Sequence, residues 1–229
     1  MHYLPKSIVF FLTLHALHAT ARQSANFSVT GTLNPTACGV SLSNGGVVDY
    51  GERVAANSNA TEFNQLGSLT LEATFTCLSP TQVAMQITDN QANSSNVSIT
   101  PLIDGGEAGG APADDRFFGM GLAPNNEPIG NYVIAYTNGN ADGSATDSIQ
   151  SSNGRSSWIS DGSGTAGPGG VSDLTQQTWP SSGAMAPLAV NNATMTLKIS
   201  AAIDDMTTIN AAADSIIFDG SSTLTLIYL

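Results

Sequence analysis

Residues 66–77 read LGSLTLEATFTC, and their alternation decides the fold class. Leu69, Leu71, Ala73, Phe75 and Cys77 fall on every second position, so in an extended chain they share one face, while Thr70, Glu72, Thr74 and Thr76 share the other. That is a strand with one side on a core. The period recurs in QVAMQIT, through Val83, Met85 and Ile87, with SPT before it as the expected turn. Near the end of the chain it returns twice: ATMTLKISAAI aligns Met195, Leu197, Ile199 and Ala201, and STLTLIYL aligns Leu224, Leu226 and Tyr228. LSNGGVVDYG reads as a short strand, a Gly-Gly turn and a further strand. NVSIT, RFFGMGL, GNYVIAYT and SSWIS are shorter candidates bounded by turn residues. Helical signal is confined to a stretch around TINAAADS. Many short strands with regular turn signals predict an all-β sandwich.

The first residues do not belong to that fold. MHYLPKSIVFFLTLHALHATARQSA has a basic residue, Lys6, then an apolar run from Ile8 to Leu17 and the small-residue site Ala19-Thr20-Ala21. Residues 1–21 therefore read as a secretory signal cleaved after Ala21, with Ala25 the alternative; the apolar run is too short to span a bilayer. His2, His15 and His18 all precede that site, so the mature chain carries no histidine. The whole sequence holds 18 acidic residues against six basic ones, a net charge of −12. Such a balance repels nucleic-acid phosphates and anionic lipid heads.

Two cysteines in an exported chain, Cys38 and Cys77, imply one disulfide. Two thiols without histidine do not make a zinc site. A serine nucleophile has no histidine base and Lys198 lies mid-strand, so no catalytic constellation emerges and no enzyme or cofactor is expected. Two regions, 101–115 and 137–170, are rich in Gly, Ser, Asn and Asp and read as long solvated loops. A calcium site there would draw on Asp142, Asp147 and Asp161, or on Glu107, Asp114 and Asp115, but neither run has a regular ligand spacing. Trp158 and Trp179 flank the second region and are candidate sugar-stacking aromatics, against the plainer reading that each anchors core or loop.

Before the first cysteine, SANFSVTGTL (24–33) alternates again, with Phe27, Val29, Gly31 and Leu33 on one face. A glycine inside such a face marks a place where another backbone or a tight groove comes close. The segment reads either as an ordinary first strand or as a strand donated to a neighbour's sheet, where main-chain bonds give affinity and side-chain pockets give register.

This layout resembles pilins of the chaperone-usher pathway. More closely, NPTACGVSLSNGGVVDYG, CLSPT with Asp89-Asn90 beyond it, FFGMGL, IGNYVI and FDGSSTLTLIYL resemble an exported, fimbria-associated proteobacterial family labelled as a domain of unknown function. The resemblance implies residues 22–37 as an N-terminal extension and 38–229 as an immunoglobulin-like sandwich lacking its last strand. It also implies Phe27, Val29, Gly31 and Leu33 as donor residues, and Leu224, Leu226, Tyr228 and Leu229 as the chaperone-facing end. Its implied partners are a periplasmic chaperone, an outer-membrane usher and neighbouring subunits on a Gram-negative surface. The rival reading is a free-standing adhesin-like module that closes its own sheet and binds a host glycan through its long loops.

Overall fold

The computed structural model describes residues 28–31, 37–53, 58–103, 107–108, 117–160, 165–166, 175–210 and 215–229. By internal contacts the chain divides into two units, Met1–Asn34 and Pro35–Leu229. The strands of the larger unit, in order, are β1 (Cys38–Leu42), β2 (Asn64–Asp89), β3 (Leu102–Ile103), β4 (Glu107–Ala108), β5 (Phe118–Gly119) and β6 (Gly130–Ala141). Next come β7 (Ser144–Thr146), β8 (Ile149–Ser151), β9 (Ile159–Ser160), β10 (Thr165–Ala166) and β11 (Gln176–Thr178). The order closes with β12 (Ala189–Ile203) and β13 (Ser222–Tyr228). The fold is all-β and sandwich-like, as the alternation requires.

One strand builds both layers. β2 is 26 residues long, and its first half carries β1 on one side and β12 on the other, while its second half carries β13 and β11. The front layer runs β1-β2-β12-β6, with β5, β7 and β10 also paired to β6. The back layer runs β13-β2-β11-β8-β9. Every one of these pairings is antiparallel. The expected turn at SPT is instead a bulge within β2: Thr76 faces Asn192 and Thr81 faces Val190, so Cys77–Pro80 loop out against one partner residue. Proline lacks the ladder N–H and is tolerated at such a point, and the kink carries the strand from one layer to the other.

The inward rows follow the alternation except at two ends, where Leu69 (37%) and Tyr228 (48%) are exposed. Leu71, Ala73, Phe75 and Cys77 are buried from β2, and Leu197 stands between Leu71 of β2 and Tyr136 of β6. From the back layer Val83, Met85 and Ile87 meet them. Cys38 and Cys77 face each other across the β1–β2 ladder and are joined by a disulfide.

Other expectations need correction as well. Val47–Tyr50 form no strand and follow the short 3-10 turn Ser43–Gly46 as extended chain. NVSIT is a turn, because its Ile99 N–H closes back onto the Asn96 carbonyl instead of joining a ladder. The region 137–170 is not simply loop: β7 to β10 lie in or reach into it, and Ile149 and Ser151 are buried. Met206–Asn210 of the helical candidate form turns, with residues 211–214 outside the described set. In the smaller unit, Ser28–Gly31 belong to no strand, Val29 is 88% exposed, and a Cβ on Gly31 would meet open space. Phe27, Leu33 and the signal segment 1–21 lie outside the described residues.

Candidate functional site

The site follows from an imbalance in the sandwich. Among the described residues, β1 and β13 each pair on one side only, with β2. A strand with a row of unpaired N–H and C=O groups is a template for another strand. Between these two edges runs a groove of about 810 Å³. One lip is formed by Leu42 and the extended segment behind it, with Val48 and Tyr50 turned inward; the other by Ile216, Phe218 and Leu224. The floor is the inner face of the sandwich, chiefly Leu71, Ile87, Ile134, Leu197 and Ile199. Ile217, which borders the groove, is 79% exposed.

Each lip is anchored by a few polar contacts. The Tyr50 hydroxyl donates to the Ile199 carbonyl at 2.7 Å, pinning the first lip to the floor, and burial pushes its pKa up. Under the start of β13 lies a polar knot. The Asp89 carboxylate accepts the backbone N–H groups of Gly119 and Gln91, both at 2.8 Å. Burial raises its pKa, and these two hydrogen bonds work in the opposite direction. A Cβ at position 119 would collide with the Gln91 carbonyl and the Ser94 hydroxyl, so only glycine can bring its N–H to this carboxylate. Next to Asp89, Asn90 reaches the hydroxyls of Ser221 and Thr223, and Gln91 donates to Asp219. Tyr132, stacked on Phe118, bonds the Ser222 hydroxyl and lines the groove. Residues 89–91 thus fix where β13 begins, and with it the second lip.

At the opposite pole, beside the disulfide, Tyr228 reaches over from β13. Its hydroxyl accepts the Cys38 N–H at 2.8 Å, and Arg155 donates to its carbonyl at 3.2 Å.

The sequence-derived residues divide accordingly. Cys38 and Cys77 are bonded, and Leu224 and Leu226 are half-buried inward members of β13. Tyr228 and Leu229 are more exposed at its end. Trp179 is fully buried with its ring edge-on to Phe75, centroids 5.0 Å apart, so stacking on a sugar is closed to it; Trp158 is partly exposed. Among the described residues no group of three or more acidic, cysteine or histidine side chains could hold a metal ion. Tyr50, Tyr132 and the role of Asp89 are visible only in the fold. The Asp-Asn pair at the end of an apolar strand was the one signal, since a short acidic side chain beside a turn commonly accepts local backbone donors.

The fold and site define a disulfide-stapled, all-β sandwich-like protein whose described residues form a groove with an apolar floor. Residues 27–133 match the model of a family described as "Protein of unknown function (DUF1120)". Over nearly its whole length the chain is similar to the Escherichia coli (strain K12) "Uncharacterized protein YhcF", 29% identical over 233 residues covering 93% of this chain and 94% of that protein. It is also similar to "Protein GltF" of the same organism, 28% identical over 242 residues covering 95% and 94%.

Proposed function

We propose that this chain is an exported structural subunit of a fimbria-like surface fibre, completed by strand donation between copies. The observation that carries the reading is the groove between β1 and β13: an apolar floor flanked by two strands that, among the described residues, each pair on one side only. Main-chain bonding along such edges, with alternate side chains entering the trough, is the β-augmentation mode of recognition. Phe27, Val29, Gly31 and Leu33 of a neighbouring copy supply the alternating face, and a periplasmic chaperone and an outer-membrane usher handle the subunit before assembly. The exposure of Val29 and the open space around Gly31 accord with a segment held ready for another molecule. The buried Trp179 removes half of the aromatic pair on which the glycan-binding alternative rested.

The test is assembly of purified variants. Gly31→Leu adds bulk where a donor strand would press against the groove floor, and overpacking costs about 1–3 kcal/mol; Leu33→Asp forces a charge onto that apolar floor. Both variants should fold with unaltered melting temperature yet give little polymer in size-exclusion chromatography and electron microscopy. Variants that polymerise like the wild type, or that unfold the monomer, would overturn the reading.

A further inference from the structure

The front lip of the groove is a strand in all but its pairing. Exposure alternates along residues 47–50: Val47 and Asp49 face solvent, while Val48 and Tyr50 pack inward on the core. That is the period-two pattern of a half-buried strand. Yet the segment joins no ladder. The Val47 N–H closes the preceding turn onto the Asn44 carbonyl at 3.2 Å, and among the described residues no backbone group of Val48, Asp49 or Tyr50 bonds to another backbone group. Side chains hold the lip: the Tyr50 hydroxyl donates to the Ile199 carbonyl at 2.7 Å, and the Asp49 carboxylate accepts the Gly51 N–H at 2.7 Å. β1, which precedes the lip, offers a newcomer less, because it comes within 8 Å of β13 and, at the disulfide pole, its Cys38 N–H is spent on the Tyr228 hydroxyl. The groove lining starts farther along, at Leu42 and Leu224, and follows the front lip through Val48, Asp49 and Tyr50.

We propose that residues 47–50 are the front pairing edge of the groove, and that residues 24–33 of a second copy add there as the neighbouring strand. The inference rests on the groove being a strand acceptor, and it names the edge that does the accepting. An extended run with unspent N–H and C=O groups is a template for another strand, and pairing supplies main-chain bonds here without breaking any. The occupant suits both surfaces. SANFSVTGTL carries no charged residue, so it approaches a chain of net charge −12 without the like-charge repulsion that an acidic strand meets. Its Phe27, Val29 and Leu33 share one face for the apolar floor of Leu71, Ile134 and Leu197. The Tyr50 tie to Ile199 keeps the lip seated on that floor while its main chain pairs.

The experiment uses the full chain and a synthetic peptide of residues 24–33, with binding followed by surface plasmon resonance and amide hydrogen exchange read residue by residue, with and without saturating peptide. Without peptide, the amides of Val48, Asp49 and Tyr50 should exchange fast. Successive N–H groups of an extended chain point to opposite sides, so bound peptide should slow either Asp49 or the pair Val48 and Tyr50, by about tenfold or more. Val40, two residues on from Cys38, presents its N–H on the same side of β1 as Cys38 does, and its rate should not change. Bound peptide that leaves all three lip amides fast overturns the proposal, as does slowing that falls on Val40 in their place. Lip amides already slow without peptide overturn it too, because their bonds are then spent elsewhere. These three outcomes leave the strand-acceptor reading standing. If the peptide fails to bind at all, that reading itself falls and takes the pairing edge with it.

Discussion

Asp89 shows how one side chain couples the end of a strand to the rest of the sandwich. It accepts two backbone donors, one of them the buried Gly119 N–H, so Asp89→Ala orphans them and should cost about 1–3 kcal/mol in urea unfolding. Its pH dependence is opposite to the familiar carboxylate case. Burial raises the pKa of Asp89 and, likewise, of Asp204, so the folded state binds their protons more tightly than the unfolded one. Their contribution therefore falls as pH rises through the folded pKa and is recovered on acidification. Asp205 behaves in the ordinary way, its pKa lowered by bonds from Thr208 and Thr207, and its contribution is lost as pH falls below the usual carboxylate range. The expected profile is a gain in urea midpoint from neutral pH towards mild acid, then a loss at lower pH. General relief of the net charge of −12 also favours acidification, so the wild type alone does not isolate Asp89. Asp89→Asn does: it should show a smaller mild-acid gain, and an identical slope in both proteins would mean that Asp89 contributes nothing to it.

At the scale of the elements, Trp179 and Trp158 separate core from surface. Trp179 follows β11 into the core against Phe75, so Trp179→Ala should destabilise by about 3–5 kcal/mol, while Trp158→Ala should change stability by less than about 1 kcal/mol. Equal effects in denaturant titration would contradict this placement. The same contrast shows what was legible in the sequence. Period-two rows in β2, β12 and β13 were readable because each has one buried face, and a slip of one residue would turn Leu71, Phe75 or Leu197 to solvent. The two-residue strands β5 and β9 were covered by the short candidates RFFGMGL and SSWIS, but β10 was not, because two residues carry no period. The continuity of β2 through Pro80 was hidden because turn chemistry and bulge chemistry use the same residues. The polar knot was half legible: Asp89-Asn90 stood out, whereas its partners, Gly119 and Ser221, lie far along the chain and only the fold unites them.

For the whole molecule, the question is how a sandwich with an unfilled side stays folded. Domains are marginal, with net stabilities of about 5–15 kcal/mol, so a single cross-link is a large share of the total. The disulfide spans 39 residues and fastens β1, the outermost strand of the front layer, to the strand that builds both layers. In the loop-entropy description, closing a loop of that size stabilises by about 4 kcal/mol. For a chain of this length each kcal/mol moves the melting temperature by about 2–4 °C, so a chain carrying both Cys38→Ser and Cys77→Ser should melt about 8–16 °C lower. The loss falls on β1, which makes it a loss of one lip of the groove as well as of global stability. A peptide of residues 24–33 in excess binds the folded state and should therefore recover part of the deficit by mass action, with the melting temperature rising as peptide concentration rises. Circular dichroism melts of both proteins, with and without peptide, decide the matter. A bridge-less chain melting within about 3 °C of the wild type would show that the ladder alone holds β1 in place. A melt indifferent to peptide in both proteins would show that the groove takes no strand of this kind.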